Sequence, residues 1–408
     1  MKALPLHGRH LTPLSATTPG DFLARVTEKA DVPMEDRSAL VLLARNAEGP
    51  IPQGFRAVLV WSPVGDAVYP TDSYALAPAL QYLREGDIVR VDTSRNAVSV
   101  LFRRSSPSNS LLVTERCDNY CLMCSQPPKE RDDSWLVHET FQMIPLIDPA
   151  TKELGITGGE PTLLGARLLE LVETLKEKLP NTALHILSNG RSFASPDFAA
   201  ALGRIRHPDL MLGIPLYSDL PEEHDFVVQA RGAFSETVRG ILALKAARVR
   251  VEIRMVIHAE TFARLPQFAE FVARNLLFAD HVALMGLELM GFAKANLDRL
   301  WIDPLDYRQQ LTDAVHILDR AQVPVSIYNH QRCVLPEELY PFARKSISDW
   351  KNGFAEECAG CGDQDACGGF FVSSDLRKSR GIRKIYRGPV AAQALEHGQR
   401  VGAEEGPL

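Results

Sequence analysis

The chain has 408 residues, more than one small core can use, and about 150 residues per domain would give two to three domains. Its composition, 45% hydrophobic and 24% charged, is that of a globular protein and excludes a disordered or fibrous chain. The formal net charge of −6 argues against a broad nucleic-acid or membrane surface. We therefore expect no nucleic-acid partner and no membrane partner.

The N-terminus and the cysteines both bear on the compartment. The first 22 residues lack the unbroken apolar run of a signal peptide, so a cytoplasmic protein is the expectation. Seven cysteines, an odd number, do not fit a fully paired disulfide framework. In a reducing cytosol, clustered cysteines are typical of metal or redox chemistry.

Residues 1–105 are predicted to form a strand-rich N-terminal domain. Apolar runs at 39–45 and 55–61 predict strands, and the runs at 87–91 and 97–102 flank a polar turn and predict a hairpin. The polar stretch 105–110 predicts a linker at the domain boundary.

Residues 106–321 alternate short apolar runs with amphipathic helical patterns. The predicted strands are 111–114, 153–157, 184–188, 211–216, 249–257 and 281–289, and the predicted helices are 137–147, 164–178, 196–204, 235–247, 262–277 and 304–321. Six strand–helix units predict an α/β fold, a partial (β/α)6 barrel of the TIM type, with its chemistry at the C-terminal ends of the strands. An irregular segment, 322–387, holds the last four cysteines, and 388–408 is a predicted tail.

The first cysteine motif follows the first barrel strand. Cys117, Cys121 and Cys124 have the spacing C-x3-C-x2-C. A disulfide uses only two thiols, and a zinc site usually takes four ligands. Three thiolates on one loop suit a [4Fe–4S] cluster with one iron open to a small ligand, while a zinc site or incidental thiols is the alternative.

A second motif closes the next predicted strand, at Gly158-Gly159-Glu160-Pro161. Two glycines let the backbone approach a ligand closely, and Glu160 offers an anionic acceptor for an ammonium group. Taken alone, these residues also fit a tight turn that ends a strand.

Together and in this order, the two motifs resemble those of the radical S-adenosylmethionine (SAM) superfamily. The resemblance implies that Cys117, Cys121 and Cys124 hold a catalytic [4Fe–4S] cluster whose open iron binds SAM. It also implies reductive cleavage of SAM to a 5′-deoxyadenosyl radical, which abstracts hydrogen from the substrate. Met123 is then expected near the adenine, and the loop from Gly158 to Pro161 is expected to bind the cofactor.

Two further positions are predicted to bind SAM on the same resemblance. Ser188 and Asn189 end the third strand in a segment similar to the superfamily's T-N-G sequence, although a strand-ending turn explains them equally well. Arg254 on the fifth strand is predicted to bind a ligand carboxylate. Because Glu252 shares its face of the strand, a structural ion pair is the alternative.

The remaining cysteines, Cys333, Cys358, Cys361 and Cys367, give four ligands, the number that closes a metal or cluster site. They resemble the auxiliary-cluster region of peptide-modifying radical enzymes, of the SPASM or twitch type. Because Phe371 stands where the full SPASM pattern has another cysteine, we expect one auxiliary [4Fe–4S] cluster in a small C-terminal iron–sulfur subdomain. A zinc site with the same four thiolates is the alternative.

The segment Cys117–Lys129 resembles the C-type radical SAM maturase of His-Xaa-Ser repeat peptide systems, and the similarity extends through 285–296 and the late cysteines, over roughly residues 100–390. It implies a ribosomally made precursor peptide as substrate, an oxidative side-chain crosslink as product, a sibling radical SAM maturase, and a flavodoxin- or ferredoxin-type electron donor. The N-terminal domain could recognise that peptide by strand addition at a sheet edge, or could only cap the barrel.

Two other functions are alternatives. A radical SAM enzyme acting on a small molecule, similar to the molybdopterin-precursor cyclase, shares the barrel and a second cluster. That type ends in a Gly-Gly tail, whereas this sequence ends Glu-Gly-Pro-Leu. A non-catalytic metal scaffold would need neither an open iron nor a loop for an ammonium group.

Overall fold

A computed structural model describes residues 6–8, 11–46, 50–65, 67–345 and 352–386. The predicted tail, 388–408, lies outside these residues. Within the described part, no helix is both long enough and apolar enough to cross a bilayer.

The N-terminal residues form one mixed sheet of eight strands, in the order β1-β8-β7-β3-β4-β5-β6-β2. The strands are β1 (His7–Gly8), β2 (Leu11–Pro13), β3 (Asp21–Thr27), β4 (Leu40–Asn46), β5 (Ala57–Ser62), β6 (Ser73–Leu76), β7 (Ile88–Asp92) and β8 (Ala97–Phe102), with one short helix, α1 (Met34–Arg37). The predicted strand-rich composition and the predicted hairpin, β7–β8, are both observed.

The two outer strands of this sheet are neighbours in sequence. Gly8 ends β1 beside β8, and Leu11 begins β2 beside β6, so three Cα–Cα steps, roughly 11 Å, separate the two edges. The sheet is therefore rolled. Over the residues that the structure describes, its outer strands have two and three residues, a short edge for strand addition.

The N-terminal sheet is joined to the next domain by charge and by packing. Arg90 on β7 pairs with Glu139 at 2.8 Å, and Arg104 pairs with Asp148. Ile88 and Phe102 belong to the same hydrophobic cluster as the barrel core. The two parts thus share buried surface.

The central domain is a parallel sheet of seven strands in sequence order, with β9 and β15 at its edges. The strands are β9 (Asn109–Leu112), β10 (Glu153–Thr157), β11 (Ala183–Leu187), β12 (Leu210–Pro215), β13 (Arg250–Ile257), β14 (His281–Gly286) and β15 (Val325–Tyr328). The helices are α2 (Ser134–Met143), α3 (Ala166–Lys178), α4 (Pro196–Arg204), α5 (Pro221–Val228), α6 (Ala233–Ala246), α7 (Leu265–Asn275), α8 (Gly291–Ala295), α9 (Leu297–Leu300) and α10 (Arg308–Arg320). A curved parallel sheet whose edge strands do not pair with each other is a partial barrel.

Alternation along each strand sets the two faces of this barrel. On β13 the side chains of Val251, Ile253 and Met255 are buried in the helix-packed core, while Glu252 and Arg254 point to the opposite, inner face. The helices present their own apolar stripes to that core, as Leu168, Leu171, Val172 and Leu175 do on α3.

The six predicted barrel strands are confirmed, with end shifts of up to three residues, and a seventh is added. β15 pairs in parallel with β14 and lies beyond residue 321, where the barrel was expected to end. Asn109 and Ser110, expected in the linker, begin β9. The structure also adds α5 and the pair α8–α9, which the sequence did not predict.

The C-terminal segment has little regular structure. Short 3-10 turns over 332–334 and 356–358 contain Cys333 and Cys358, and Cys367 directly follows a third turn over 364–366. Two short strands, β16 (Asn352–Gly353) and β17 (Phe370–Phe371), pair antiparallel.

Candidate active site and second thiol cluster

The first three cysteines lie on the loop after β9, at the C-terminal end of the sheet. Burial, together with the nearby charges of Glu160, Asp118 and Cys124, raises the pKa of Cys117 to about 12. Burial also raises the pKa of Cys121, and the charges of Cys124 and Cys117 raise it as well. The three thiols are thus mutual electrostatic neighbours, and a bound cationic group is needed to keep them as thiolates.

Backbone hydrogen bonds fix the shape of this loop. The amides of Tyr120 and Leu122 donate to the carbonyls of Val228 and Val227, at 3.0 and 2.9 Å, at the end of α5. The Asn296 side-chain amide donates to the carbonyl of Leu122 at 2.8 Å. The loop is therefore anchored to two helical regions that the sequence did not predict.

The two glycines of the second motif lie directly on the cysteine loop. A Cβ on Gly159 would lie 2.2 Å from the carbonyl oxygen of Arg116, and a Cβ on Gly158 would lie 2.5 Å from that of Thr114. The Gly159 amide donates to the Thr114 carbonyl at 2.9 Å, and the Glu160 amide donates to the Arg116 carbonyl at 2.8 Å. The glycines were expected to approach a ligand, and the contact that they make here is with the loop that carries Cys117.

Glu160 is fully buried, and its carboxylate accepts hydrogen bonds from its own chain. One oxygen accepts from the Thr162 amide at 2.9 Å, the Thr162 hydroxyl at 2.6 Å and the Ser188 hydroxyl at 2.8 Å, and the other accepts from the Asn189 amide at 2.6 Å. Burial raises the pKa of Glu160, while these donors lower it. The carboxylate joins the ends of β10 and β11, so its predicted role as the acceptor for a ligand ammonium must use the oxygen that carries one bond.

Asn189 and Arg191 connect the end of β11 to the cysteine loop. The Asn189 side-chain amide donates to Asp118 at 2.6 Å. Arg191 donates to the Asp118 carbonyl at 2.9 Å and to the Asn119 side chain at 2.7 Å, and it pairs with Glu236 on α6 at 2.6 Å. Arg191 was not predicted as a site residue, although its position directly after Ser188-Asn189-Gly190 places it at the same end of β11. Met123, expected near the adenine, is buried in the barrel core cluster.

Arg254 takes part in a polar cluster on the inner face of the barrel. Its guanidinium donates to Glu252 at 2.6 Å, so the alternative that the sequence left open, a structural ion pair, is present. Glu252 also contacts His281 at 2.8 Å and His185 at 3.6 Å, and His281 contacts the Ser326 hydroxyl at 3.0 Å.

Gly213 on β12 makes room for this cluster. A Cβ there would lie 2.8 Å from the Nε2 atom of His185 and 3.0 Å from the Cδ atom of Arg254, so side chains from β11 and β13 meet above it. Tyr217, just after β12, is buried, and burial together with the charges of Cys121 and Cys124 raises its pKa. Arg254 lowers that pKa, so Tyr217 is close enough to the thiol loop and to the polar cluster to feel the charges of both.

We expect the stability of the fold to decrease at acidic pH because of Glu252. Burial alone would raise its pKa, but the hydrogen bond from His281 and the charges of Arg254, His185 and His281 lower the pKa to about 2, from 4.5. Its contribution is complete above about pH 4.5 and is lost as the pH falls toward 2, with an upper limit of about 3 kcal/mol. The free energy of unfolding of the wild type, measured in urea, should fall between about pH 6 and pH 3.5. In Glu252→Gln the free energy of unfolding should depend less on pH over the same range.

The matched control is Glu177→Gln, which removes an exposed carboxylate on α3. It should keep the acid dependence of wild type. Equal slopes for Glu252→Gln and wild type would contradict the assigned role of Glu252.

The four late cysteines also come together. Burial raises the pKa of Cys333, and the neighbouring thiols of Cys367 and Cys358 raise it further. Burial raises the pKa of Cys358 likewise, with Cys367 and Cys361 adding to it. The Ile385 amide donates to the Cys361 sulfur at 3.4 Å. Amide hydrogen bonds of this kind are common around iron–sulfur ligands and tune their potential.

Both thiol sets have the donors that iron–sulfur clusters require. Among the described residues, no three His, Cys, Asp or Glu side chains are arranged to hold a single metal ion. A [4Fe–4S] cluster needs a wider arrangement, because each thiolate binds a different iron. A loop with three thiols and a segment with four fit one open and one closed cluster.

Comparison with known proteins identifies the domain that carries the first site. The family model of the radical SAM superfamily matches residues 111–272, from β9 into α7, a segment that contains both motifs. Residues 111–272 therefore form a radical SAM domain. The cofactors of that superfamily are SAM and a [4Fe–4S] cluster. A comparison with curated proteins found no match.

Several solved structures align with part of this chain. SuiB from Streptococcus suis bound to SAM aligns with 13% identity over 57% of this chain and 53% of that chain, at a TM-score of 0.45. A radical SAM methyltransferase from Sphaerobacter thermophilus aligns with 14% identity over 61% of this chain and 74% of that chain, at a TM-score of 0.42. The structure of anSMEcpe with bound AdoMet and the Kp18Cys peptide aligns with 15% identity over 68% of this chain and 93% of that chain, at a TM-score of 0.47. The chain spans about half the length of SuiB, and at these scores the similarity does not specify a substrate.

Proposed function

We propose that this radical SAM enzyme is a peptide maturase, which removes hydrogen from a ribosomally made precursor of the His-Xaa-Ser repeat type and closes an oxidative side-chain crosslink. One contact carries the proposal. The segments that resemble the C-type maturase, Cys117–Lys129 and 285–296, are more than 150 residues apart in sequence and touch each other in the fold. The Phe292 amide donates to the Cys124 carbonyl at 2.8 Å, and Asn296 donates to Leu122.

Gly291 shows how close this contact is. A Cβ at Gly291 would lie 2.4 Å from the Cys124 carbonyl and 2.6 Å from that of Ser125, and its φ of +54° is unfavourable for other residues. The resemblance thus covers two surfaces of one packed unit, which supports a role for 285–296 in shaping the mouth of the barrel above the thiol loop.

We assign the cofactor contacts to the residues around that mouth. When bound to the three thiols of the first loop, the cluster with SAM supplies a carbon radical that takes hydrogen from the substrate. Arg254 has guanidinium N–H groups beyond the one given to Glu252, and they would donate to the SAM carboxylate. Ser188, Asn189 and the Gly158–Pro161 loop would hold the rest of the ligand, with Tyr217 excluding water beside Arg254.

The second thiol set supports an oxidative outcome. A crosslink that removes two hydrogen atoms from the peptide takes one as a hydrogen atom and the other as a proton and an electron. That last electron needs an acceptor. The four thiols of Cys333, Cys358, Cys361 and Cys367 would hold an auxiliary [4Fe–4S] cluster suited to accept it.

For the N-terminal domain, the contacts favour the second of the two roles that the sequence allows, a cap on the barrel, over recognition of the leader part of the peptide. The rolled sheet and its two- and three-residue outer strands disfavour strand addition as the route. The ion pair of Arg90 with Glu139 holds this domain against α2, close to the barrel.

Coexpression with a precursor peptide tests the proposal. A short peptide with His-Xaa-Ser repeats, encoded beside this chain, should lose the mass of two hydrogen atoms per crosslink. Cys361→Ala should abolish that loss and leave cleavage of SAM measurable, because the first thiol loop is untouched. The exposed Asp365→Asn, in the same C-terminal segment, is the matched control and should behave as wild type.

Two results would contradict the proposal. If the mass of the peptide is unchanged while SAM is cleaved, the peptide is not the substrate. Two equivalents of zinc with no sulfide in anaerobically purified protein would remove both clusters.

A further inference from the structure

The peptide group that joins Asp118 to Asn119, which we call the 118–119 peptide, is hydrogen-bonded on both of its polar sides. Its N–H belongs to Asn119 and donates to the Cys117 sulfur at 3.4 Å. Its carbonyl belongs to Asp118 and accepts from the guanidinium of Arg191 at 2.9 Å. This peptide is trans, so its C=O and N–H lie in one plane and point in opposite directions. A donor that holds the carbonyl therefore also sets the direction of the N–H.

Further contacts fix the guanidinium of Arg191 in this position. It donates to the Asn119 side-chain oxygen at 2.7 Å and pairs with the Asp118 carboxylate at 3.0 Å. On its other side it pairs with Glu236 of α6 at 2.6 Å. The Asn189 side chain accepts from the Arg191 amide at 2.9 Å and donates to Asp118 at 2.6 Å. Only 17% of the Arg191 side chain is exposed, so water competes little for these contacts.

The direction of this N–H matters because of what Cys117 is expected to bind. When the three thiols of the first loop hold a cluster, an N–H that donates to a ligand sulfur favours the reduced state, since that state carries one more negative charge. The positive charge of Arg191 acts in the same direction.

The electrostatics of Arg191 agree with the hydrogen bonds. Burial would lower the pKa of Arg191, but its pairing with Glu236 raises it, and the charge of Cys117 adds to that rise. The guanidinium and the thiolate are thus close enough to attract each other, in addition to the contact through the backbone.

We propose that Arg191 is a positioning residue that raises the reduction potential of the open cluster through the 118–119 peptide. The guanidinium holds the carbonyl, and the N–H of the same peptide then stays directed at the Cys117 sulfur. The inference rests on the open cluster of the proposed function and is independent of the peptide substrate. The alternative is that Arg191 only anchors the loop, with no effect on the potential.

A redox titration of the full chain with both clusters tests the inference. The potential of the open cluster is followed by electron paramagnetic resonance, on the signal that changes when SAM is added. Arg191→Met, which removes the charge and the donors, should lower the potential by about 59 mV, a tenfold change in the equilibrium constant of a one-electron reduction. Arg191→Lys should recover part of this shift, because an ammonium group keeps the charge but lacks the planar fork that contacts both Asp118 and Asn119.

Asn119→Ala separates the peptide contact from the charge. It removes one of the two acceptors that hold Arg191 to the 118–119 peptide, and it keeps the backbone N–H and the guanidinium. The potential should therefore fall in the same direction by a smaller amount. The matched control is Arg264→Met, which removes another arginine paired with an aspartate, Asp219, at 2.6 Å. It should keep the wild-type potential.

A wild-type potential in Arg191→Met, at equal iron content, would overturn the inference. A fall in Arg191→Met with none in Asn119→Ala would assign the effect to charge alone and would overturn the route through the peptide. If Arg191→Met does not retain the open cluster, the comparison of Asn119→Ala with wild type decides. Because no precursor peptide is present in the titration, a missing crosslink would overturn the proposed function and leave this result intact.

Discussion

Cys121→Ala should abolish formation of 5′-deoxyadenosine and crosslinking together. Cys121 is the middle thiol of the first loop, and it is coupled electrostatically to both Cys117 and Cys124. Two thiolates cannot hold a cluster that keeps one iron open, so bound iron should fall by about half, from two clusters to one. Iron and sulfide analysis and chromatography of 5′-deoxyadenosine measure the effect.

Tyr120→Phe is the matched control for this variant. Tyr120 neighbours Cys121 on the loop, and its backbone amide, which holds the loop to Val228, is unchanged by the substitution. Its hydroxyl bonds only the exposed Glu130 among the contacts of the described residues. Full iron content and 5′-deoxyadenosine formation in Cys121→Ala would contradict the assignment of the open cluster to this loop.

Gly159→Ala should reduce SAM cleavage about a hundredfold or more while the first cluster is retained. The new Cβ would lie 2.2 Å from the Arg116 carbonyl oxygen, which is backbone and cannot rotate away. The 158–161 loop must then move by about 1 Å from the cysteine loop, and displacements of that size cost about a hundredfold in oriented reactions. The measurement is the rate of 5′-deoxyadenosine formation at equal iron content.

Gly65→Ala is the matched control, since a Cβ there meets nothing within 4 Å. It should leave the rate unchanged. A wild-type rate for Gly159→Ala would show that the contact between the two loops is not required for cofactor binding.

The strands of the barrel could be predicted because their information is local. Runs such as 153–157 alternate or run apolar within five residues, and a period of two identifies them without reference to the rest of the chain. β15 was missed because it has four residues, directly follows Pro324 and includes the polar Ser326. Its identity as a strand depends on pairing with β14, which is information that the local sequence does not contain.

The residue types of the active site could be predicted, but their connections could not. The thiols and the glycine–glutamate motif are contiguous, so spacing was sufficient to propose them. The contacts of Arg191 with Asp118 and of Glu252 with His281 join residues 73 and 29 positions apart. For Glu160, the sequence predicted a negative charge facing a ligand, and only the fold reveals that the chain's own donors occupy most of its acceptor positions.

The position of β15 also bears on whether this enzyme can be divided into parts. β15 is the seventh strand of the barrel and ends at Tyr328. Cys333 of the second thiol set follows five positions later. A chain shortened at Ala321 would expose the backbone groups of β14 as a free edge, a surface that invites aggregation. Because Cys333 follows β15 so closely, the strand that completes the barrel and the first thiol of the second set belong to one continuous stretch of chain, and a fragment that keeps the barrel intact must extend through β15.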